Sequence, residues 1–142
     1  MDVNDKYYCN IWLKEDNQPI VQVIDQRFLP NQLVIEDIKT IHEIVAAIKN
    51  MQIIDANMIS IIAGYGMYFA TLEAQKNNEF DRFLFDAAAM LKATQPTTIS
   101  LALAIERQLN AICHGRTYDE KITIALKTAK RIANKKHHDA GT

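Results

Sequence analysis

The sequence predicts an α+β fold that is mostly helical, with a small N-terminal antiparallel β-meander of two or three strands packed on a five-helix bundle. Three observations predict it. Short β-branched runs occupy residues about 10–36, apolar residues recur every three or four positions from about 38 onward, and residues about 56–75 are apolar on nearly every side.

The strands come first. Ile11-Trp12-Leu13 is a short apolar patch, Ile20-Val21-Gln22-Val23-Ile24 is bounded by Pro19 and Asp25, and Leu33-Val34-Ile35 follows the turn signal Leu29-Pro30-Asn31-Gln32. A sheet this small is not stable alone, so one face must pack on helices.

The first helix is expected over about 38–51, where Ile38, Ile41, Val45 and Ile48 form one stripe. The second, about 56–75, carries Met58, Ile59, Ile61, Ile62, Tyr65, Met67, Phe69 and Leu72, and a helix without a polar face belongs in the middle of a fold. The third, about 78–94, has Asn77 or Asn78 as its cap and buries Phe80, Phe83, Leu84, Ala87 and Leu91. Thr94-Gln95-Pro96 breaks the chain, and Pro96 suits the start of a fourth helix over about 97–114. That helix carries Ala102, Ile105, Leu109 and Ile112 on one side and is expected to end near Gly115 in the left-handed conformation. Thr117 with Glu120 three residues on is a capping box for a fifth helix, about 118–134, with a buried stripe of Tyr118, Ile122, Ala125, Ala129 and Ile132. The polar tail from Asn134 is expected to fray. With no repeat and no linker, residues 1–142 read as one domain.

Composition narrows the function. The net charge of -1 gives no reason to expect nucleic acid or an anionic membrane as a partner. Cys9 and Cys113 lie far apart and lack metal-ligand spacing, so they read as reduced thiols, and neither a metal nor a cofactor is expected. The most apolar run, Met58 to Leu72, is too short to span a bilayer and is interrupted by Ser60, Gly64 and Gly66. Met1-Asp2-Val3-Asn4-Asp5 has no signal-peptide character, which makes a soluble cytoplasmic protein the expectation.

Three stretches carry a resemblance. Val23-Ile24-Asp25-Gln26-Arg27-Phe28-Leu29-Pro30, then Ala47-Ile48-Lys49-Asn50-Met51-Gln52-Ile53 with Ala63-Gly64-Tyr65-Gly66, then Leu91-Lys92-Ala93-Thr94-Gln95-Pro96-Thr97 resemble signatures of the methylthioribose-1-phosphate isomerase family in order and spacing. The wider family includes ribose-1,5-bisphosphate isomerases and the regulatory subunits of translation initiation factor 2B. The resemblance implies the N-terminal domain of a two-domain aldose–ketose isomerase of methionine salvage. The catalytic cysteine and aspartate belong to a Rossmann-like C-terminal domain, which is a possible partner here. These residues hold no βαβ pattern and no Gly-rich phosphate loop, so no catalytic residue is expected among them, and Cys9 and Cys113 match no family nucleophile.

What the resemblance does imply is a set of substrate-binding positions. The family's Arg-Gly-Ala-Pro aligns with Ile54, Asp55, Ala56 and Asn57, and its later glycine with Ser60. An arginine before Pro-Thr becomes Gln95, and a following asparagine becomes Ser100. Arginine offers a forked cation to a phosphate, and a helix N-terminus offers free N–H groups. Here the cations are gone and Asp55 adds a carboxylate that repels an anion. Each lost charge-assisted contact costs on the order of 1.5–3 kcal/mol, and two together weaken phosphate binding by roughly two to four powers of ten. Phosphosugar binding is therefore doubtful on these residues.

Plainer roles compete at several positions. Asp25 and Gln26 suit turn and side-chain-to-backbone bonds better than a site. His42 has no proton-transfer partner near in sequence, and Tyr65 and Tyr68 suit a core. Lys121, Lys127, Lys130, Arg131, Lys135 and Lys136 read as a solvated helix face rather than a nucleic-acid surface, and His137-His138 as a loose tail.

Three functions fit these residues. One is a domain that is catalytically inactive alone, the second a partial isomerase completed by a separate C-terminal chain, and the third a regulatory interaction module. The first two predict exposed apolar surface near Met58, Met67 and the third and fourth helices, and the third predicts a partner for it.

Overall fold

A computed structural model of the protein describes residues 11–15, 18–50, 53 and 55–141. Its strands are β1 (Ile11–Glu15), β2 (Pro19–Ile24) and β3 (Ile35–Ile38), an antiparallel sheet in the order β1-β2-β3. The helices are α1 (Ile41–Lys49), α2 (Ala56–Ala74), α3 (Phe80–Thr94), α4 (Ile99–Ile112) and α5 (Tyr118–Gly141). The architecture is α+β and mostly helical.

Strand alternation sorts the sheet into two faces. Ile11 pairs with Val23, Leu13 with Val21, and Val21 with Ile38, so these apolar residues share the inner face. On the outer face the ladder continues through side chains. Trp12 Nε1 donates to Gln22 Oε1 at 2.8 Å, and Gln22 Nε2 donates to Asp37 Oδ1 at 2.8 Å. The third strand lies later than the expected Leu33-Val34-Ile35, and Leu33 is exposed. Ile38 therefore belongs to the sheet and not to a helical stripe, because its pairing with Val21 closes the inner face. The first helix begins only at Ile41, after Thr40.

Between β2 and β3 a short 3-10 turn, Gln26–Phe28, redirects the chain. Buried Asp25 accepts from the Arg27 backbone N–H at 3.1 Å and from Arg27 Nη2 at 2.7 Å. This is the turn role expected of Asp25.

Thr40 Oγ1 accepts from Glu43 N at 3.1 Å and starts α1. Glu73, from the far end of α2, accepts from Ile41 N at 2.8 Å and ties the two helices end to end. Helix α2 is the axis of the fold, packing against α1, α3, α4, α5 and β1. Every residue from Met58 to Thr71 is buried, as the pattern without a polar face predicts. Each large apolar side chain taken fully from water contributes about 1.5–3 kcal/mol. Gly64 sets the approach of α5: a Cβ there would lie 3.3 Å from Ile132 Cδ1 and 3.6 Å from Ala129 Cα.

The peripheral helices correct several expectations. Glu79, not Asn77 or Asn78, precedes α3, and no side chain caps it. Asn77 Nδ2 instead donates to Glu73 O at 3.1 Å and closes the end of α2. Pro96 sits in the turn before α4, which starts after Thr98. The buried face of α4 is Leu101, Ala104, Ile105, Gln108 and Ile112, while Ala102 and Leu109 are half-buried. Gly115 does not have a positive φ. Its small size matters instead, since a Cβ would lie 2.7 Å from Lys121 Cγ and 2.9 Å from Lys121 N.

The capping box at α5 is formed: Glu120 N donates to Thr117 Oγ1 at 3.1 Å, and Thr117 N donates to Glu120 Oε2 at 3.2 Å. Tyr118 is exposed rather than part of the core stripe, and stacks on Phe80 with ring centroids 4.5 Å apart. Helix α5 continues to Gly141, past the expected fraying point at Asn134.

Candidate functional site

The first turn of α2 is the place to look, because a helix N-terminus leaves N–H groups without partners inside the helix. Here Asp55 occupies two of them. Its Oδ1 accepts from Asn57 N at 2.8 Å and from Met58 N at 3.2 Å. The carboxylate therefore stands over the donors that an anion at this helix end would use. Ala56 is exposed and opens the helix. Ile54 lies outside the described residues.

Helices α2 and α4 are joined at their beginnings. Ser60 Oγ donates to Ala56 O at 3.2 Å and to Ser100 O at 3.4 Å. Further along, Gln108 Nε2 donates to Gly64 O at 2.9 Å. Both links advance in the same direction along the two helices, so their N-termini meet at one end of the fold. Helix α5 runs the other way across them. Its Ala125 O also accepts from Gln108 Nε2, at 2.9 Å, while its later residues reach Ser60 and Ser100.

Of the positions expected from the sequence, the structure brings Ser100 to the beginning of α2, four residues into the helix that Asp55 caps. Gln95 faces elsewhere. It ends α3, its Oε1 accepts from Thr98 Oγ1 at 2.8 Å, and it lines a separate depression with Lys92, Pro96 and Thr98.

Beside Ser60 and Ser100 is a cavity of about 130 Å³, lined also by Leu103, Ala104, Arg107, Ile132, Lys135 and Lys136. The sequence reading missed this cluster. Arg107 was not singled out, and Lys135 and Lys136 read as part of a solvated face. The helical spacing of Ser100, Leu103, Ala104 and Arg107 was the available signal.

Exposed large apolar side chains on α3 and α4 are Phe85, Ile99 and Leu103, and others lie between β2 and β3 and at Ile35 and Tyr118, whereas Met58 and Met67 are buried and offer no docking surface. Ile99 is 74% exposed and Leu103, one turn on, 58%. His42 is exposed. Tyr65 and Tyr68 are core residues; burial first, and the charge of Glu15 second, push the Tyr65 hydroxyl up to about 12. Cys113 is exposed, and Cys9 lies outside the described residues. Among the described residues no group of three or more His, Cys, Asp or Glu is placed to hold a metal, and no helix is long and apolar enough to cross a membrane.

No family model matches the chain. A methylthioribose-1-phosphate isomerase of Sinorhizobium medicae is 36% identical over 133 residues, covering 94% of this chain and 35% of that protein. The corresponding protein of Desulfosudis oleivorans is 31% identical over 123 residues, covering 87% of this chain and 33% of its own length. Among solved structures, subunit delta of translation initiation factor eIF-2B from A. fulgidus superposes with a TM-score of 0.75 at 29% identity, over 87% of this chain and 36% of that one. This chain matches the N-terminal domain of the methylthioribose-1-phosphate isomerase and eIF-2B family. A 5-methylthioribose 1-phosphate isomerase from Pyrococcus horikoshii superposes with the same TM-score, 0.75, at 28% identity, over 87% of this chain and 35% of that one. The chain thus spans about a third of the length of the family members it matches.

Proposed function

We propose that these residues form a helical domain of the isomerase family that does not isomerise methylthioribose-1-phosphate on its own. The observation that carries this reading is the carboxylate of Asp55 on the first N–H groups of α2. An incoming phosphate meets a negative charge there instead of free donors. Ile54 and Gln95, where the family has arginines, support the same reading, as does the internal bond that engages Gln95 with Thr98. Calorimetric titration of methylthioribose-1-phosphate into the purified chain is expected to show no binding in the micromolar range. A micromolar dissociation constant overturns the reading.

A second reading has its own observation. Ile99 and Leu103 expose adjacent large apolar side chains on α4. They suit a face that is covered by another protein domain, as in a partial isomerase completed by a separate chain or in a regulatory module. The test is co-purification with a separately expressed C-terminal domain of the Sinorhizobium medicae isomerase. A complex that Leu103→Asp abolishes supports this reading, and no complex with that domain contradicts it.

A further inference from the structure

We propose that two copies of this chain associate through the outer side of α3 and the groove beside it, antiparallel about a two-fold axis at Ala89. Arg82, Phe85, Asp86, Ala89 and Ala93 are exposed at spacings of three and four residues, so they form one solvent-facing side of α3. Phe85 is 64% exposed on this side. Next to it along the helix, a groove of about 490 Å³ runs between α3 and α4. Ala89 and Ala93 line it from α3, and Leu101 and Ala102 from α4. Gln95, bonded to Thr98, lies at the end where the two helices join. The same surface therefore carries a protruding aromatic ring and an open depression lined largely by small apolar side chains.

A surface that holds both a knob and a hole fits a second copy of itself, which is what a two-fold interface requires. With α3 antiparallel to α3 of the second copy and Ala89 facing Ala89, each residue meets the one equally far on the other side of Ala89. Phe85 and Ala93 are each four residues, about 6 Å, from Ala89, so Phe85 enters the groove of the second copy beside its Ala93. Asp86 and Lys92 are each three residues away, so a carboxylate meets an ammonium group across the axis, twice per dimer. A shift by one turn in either direction separates these charges, which makes them the determinant of register. Lys92 lies 3.8 Å from Glu106, but both side chains reach solvent and such a pair holds weakly, so Lys92 is able to engage the second carboxylate as well. Alanine at the axis lets the two helices approach closely. Leu103 is not part of this surface, since it lines the cavity beside α5.

Sedimentation equilibrium of the full chain from ~1 μM to ~1 mM tests the proposal. A monomer–dimer equilibrium within that range is expected. Phe85→Ser should weaken it about tenfold or more. Leu33→Asp and Leu103→Asp, at other exposed apolar positions, should leave it unchanged. Asp86→Lys and Lys92→Glu each set like charges against each other twice, and each alone should weaken association about fivefold or more. Mixed in equal amounts, these two variants should associate at close to the strength of the parent, because the mixed pair restores opposite charges at both contacts. Circular dichroism and the urea midpoint of each variant report its fold, and the mixing experiment leaves Phe85 in place. The proposal is overturned by a chain that stays monomeric throughout that range, or by a mixture that associates no more strongly than its components. It is equally overturned by a dimer that folded Phe85→Ser leaves intact or that Leu33→Asp or Leu103→Asp disrupts.

Discussion

Replacing Gln108 by methionine and by alanine separates two contributions at the centre of the bundle. Gln108 is 0% exposed, its Nε2 donates to Gly64 O and Ala125 O at 2.9 Å each, and its Oε1 has no partner among the described residues. One side chain thus ties α4 to both α2 and α5. Gly64 O and Ala125 O also lie within helices and keep their helical bonds when the glutamine is lost. Losing the two side-chain bonds costs about 1–3 kcal/mol. Removing a buried acceptor with no partner returns about 1–3 kcal/mol. Methionine keeps the volume, so the two terms oppose, and Gln108→Met should change stability by no more than about 1 kcal/mol. Alanine loses the same bonds and leaves a void, so Gln108→Ala should cost about 2–5 kcal/mol. Urea unfolding of the three proteins at equal m-values measures both. If Gln108→Met costs as much as Gln108→Ala, the amide is worth more than this reasoning allows and the opposition of terms is refuted.

Further outcomes follow from Tyr65 and Gly115. The Tyr65 hydroxyl is raised from 10.0 to about 12 by burial and by Glu15, so the unfolded chain gives up that proton first. Its contribution is intact below the unfolded value of 10.0 and is lost as pH rises through about 12, a loss of roughly 2–3 kcal/mol. Tyr65→Phe cannot titrate, so urea unfolding across that range should show the variant gaining by about that amount relative to the parent; a constant difference contradicts the assignment. Gly115→Ala should destabilise by about 1–3 kcal/mol, read as a lowered urea midpoint, because its Cβ would meet Lys121 N at 2.9 Å; an unchanged midpoint would show that the turn yields freely.

The parts of the fold that were legible in the sequence are those with one local cause. The apolar run of α2, the strand alternation at Val21 and Val23, and the Thr117–Glu120 box each follow from a short stretch. Ile38 was misread because its spacing to Ile41 satisfies a helical stripe as well as a strand pairing, and only the partner Val21 decides. The face of α4 came out rotated because glutamine reads as polar, while Gln108 has its donors satisfied inside. Helix α5 runs further than expected because its stripe stops at Ile132 and the polar residues from Asn134 onward give no apolar periodicity to announce a helix.

The residue types at Asp55 and Gln95 could be read from the chain, but not that Gln95 lies in a depression apart from the beginning of α2. The capping bonds of Asp55 could not, since any turn before a helix might have used that residue differently. The meeting of Arg107 with Lys135 and Lys136 is tertiary, and nothing local to α4 or α5 encodes it.

The proposed reading is that a helix end closed by Asp55, with Ile54 and Gln95 where the family resemblance implies arginines, leaves this chain without isomerase activity of its own. Incubating the purified chain with methylthioribose-1-phosphate and following ketose formation tests it most directly. The expected rate equals the enzyme-free control at every protein concentration. Ketose formation that rises in proportion to the chain would contradict the account.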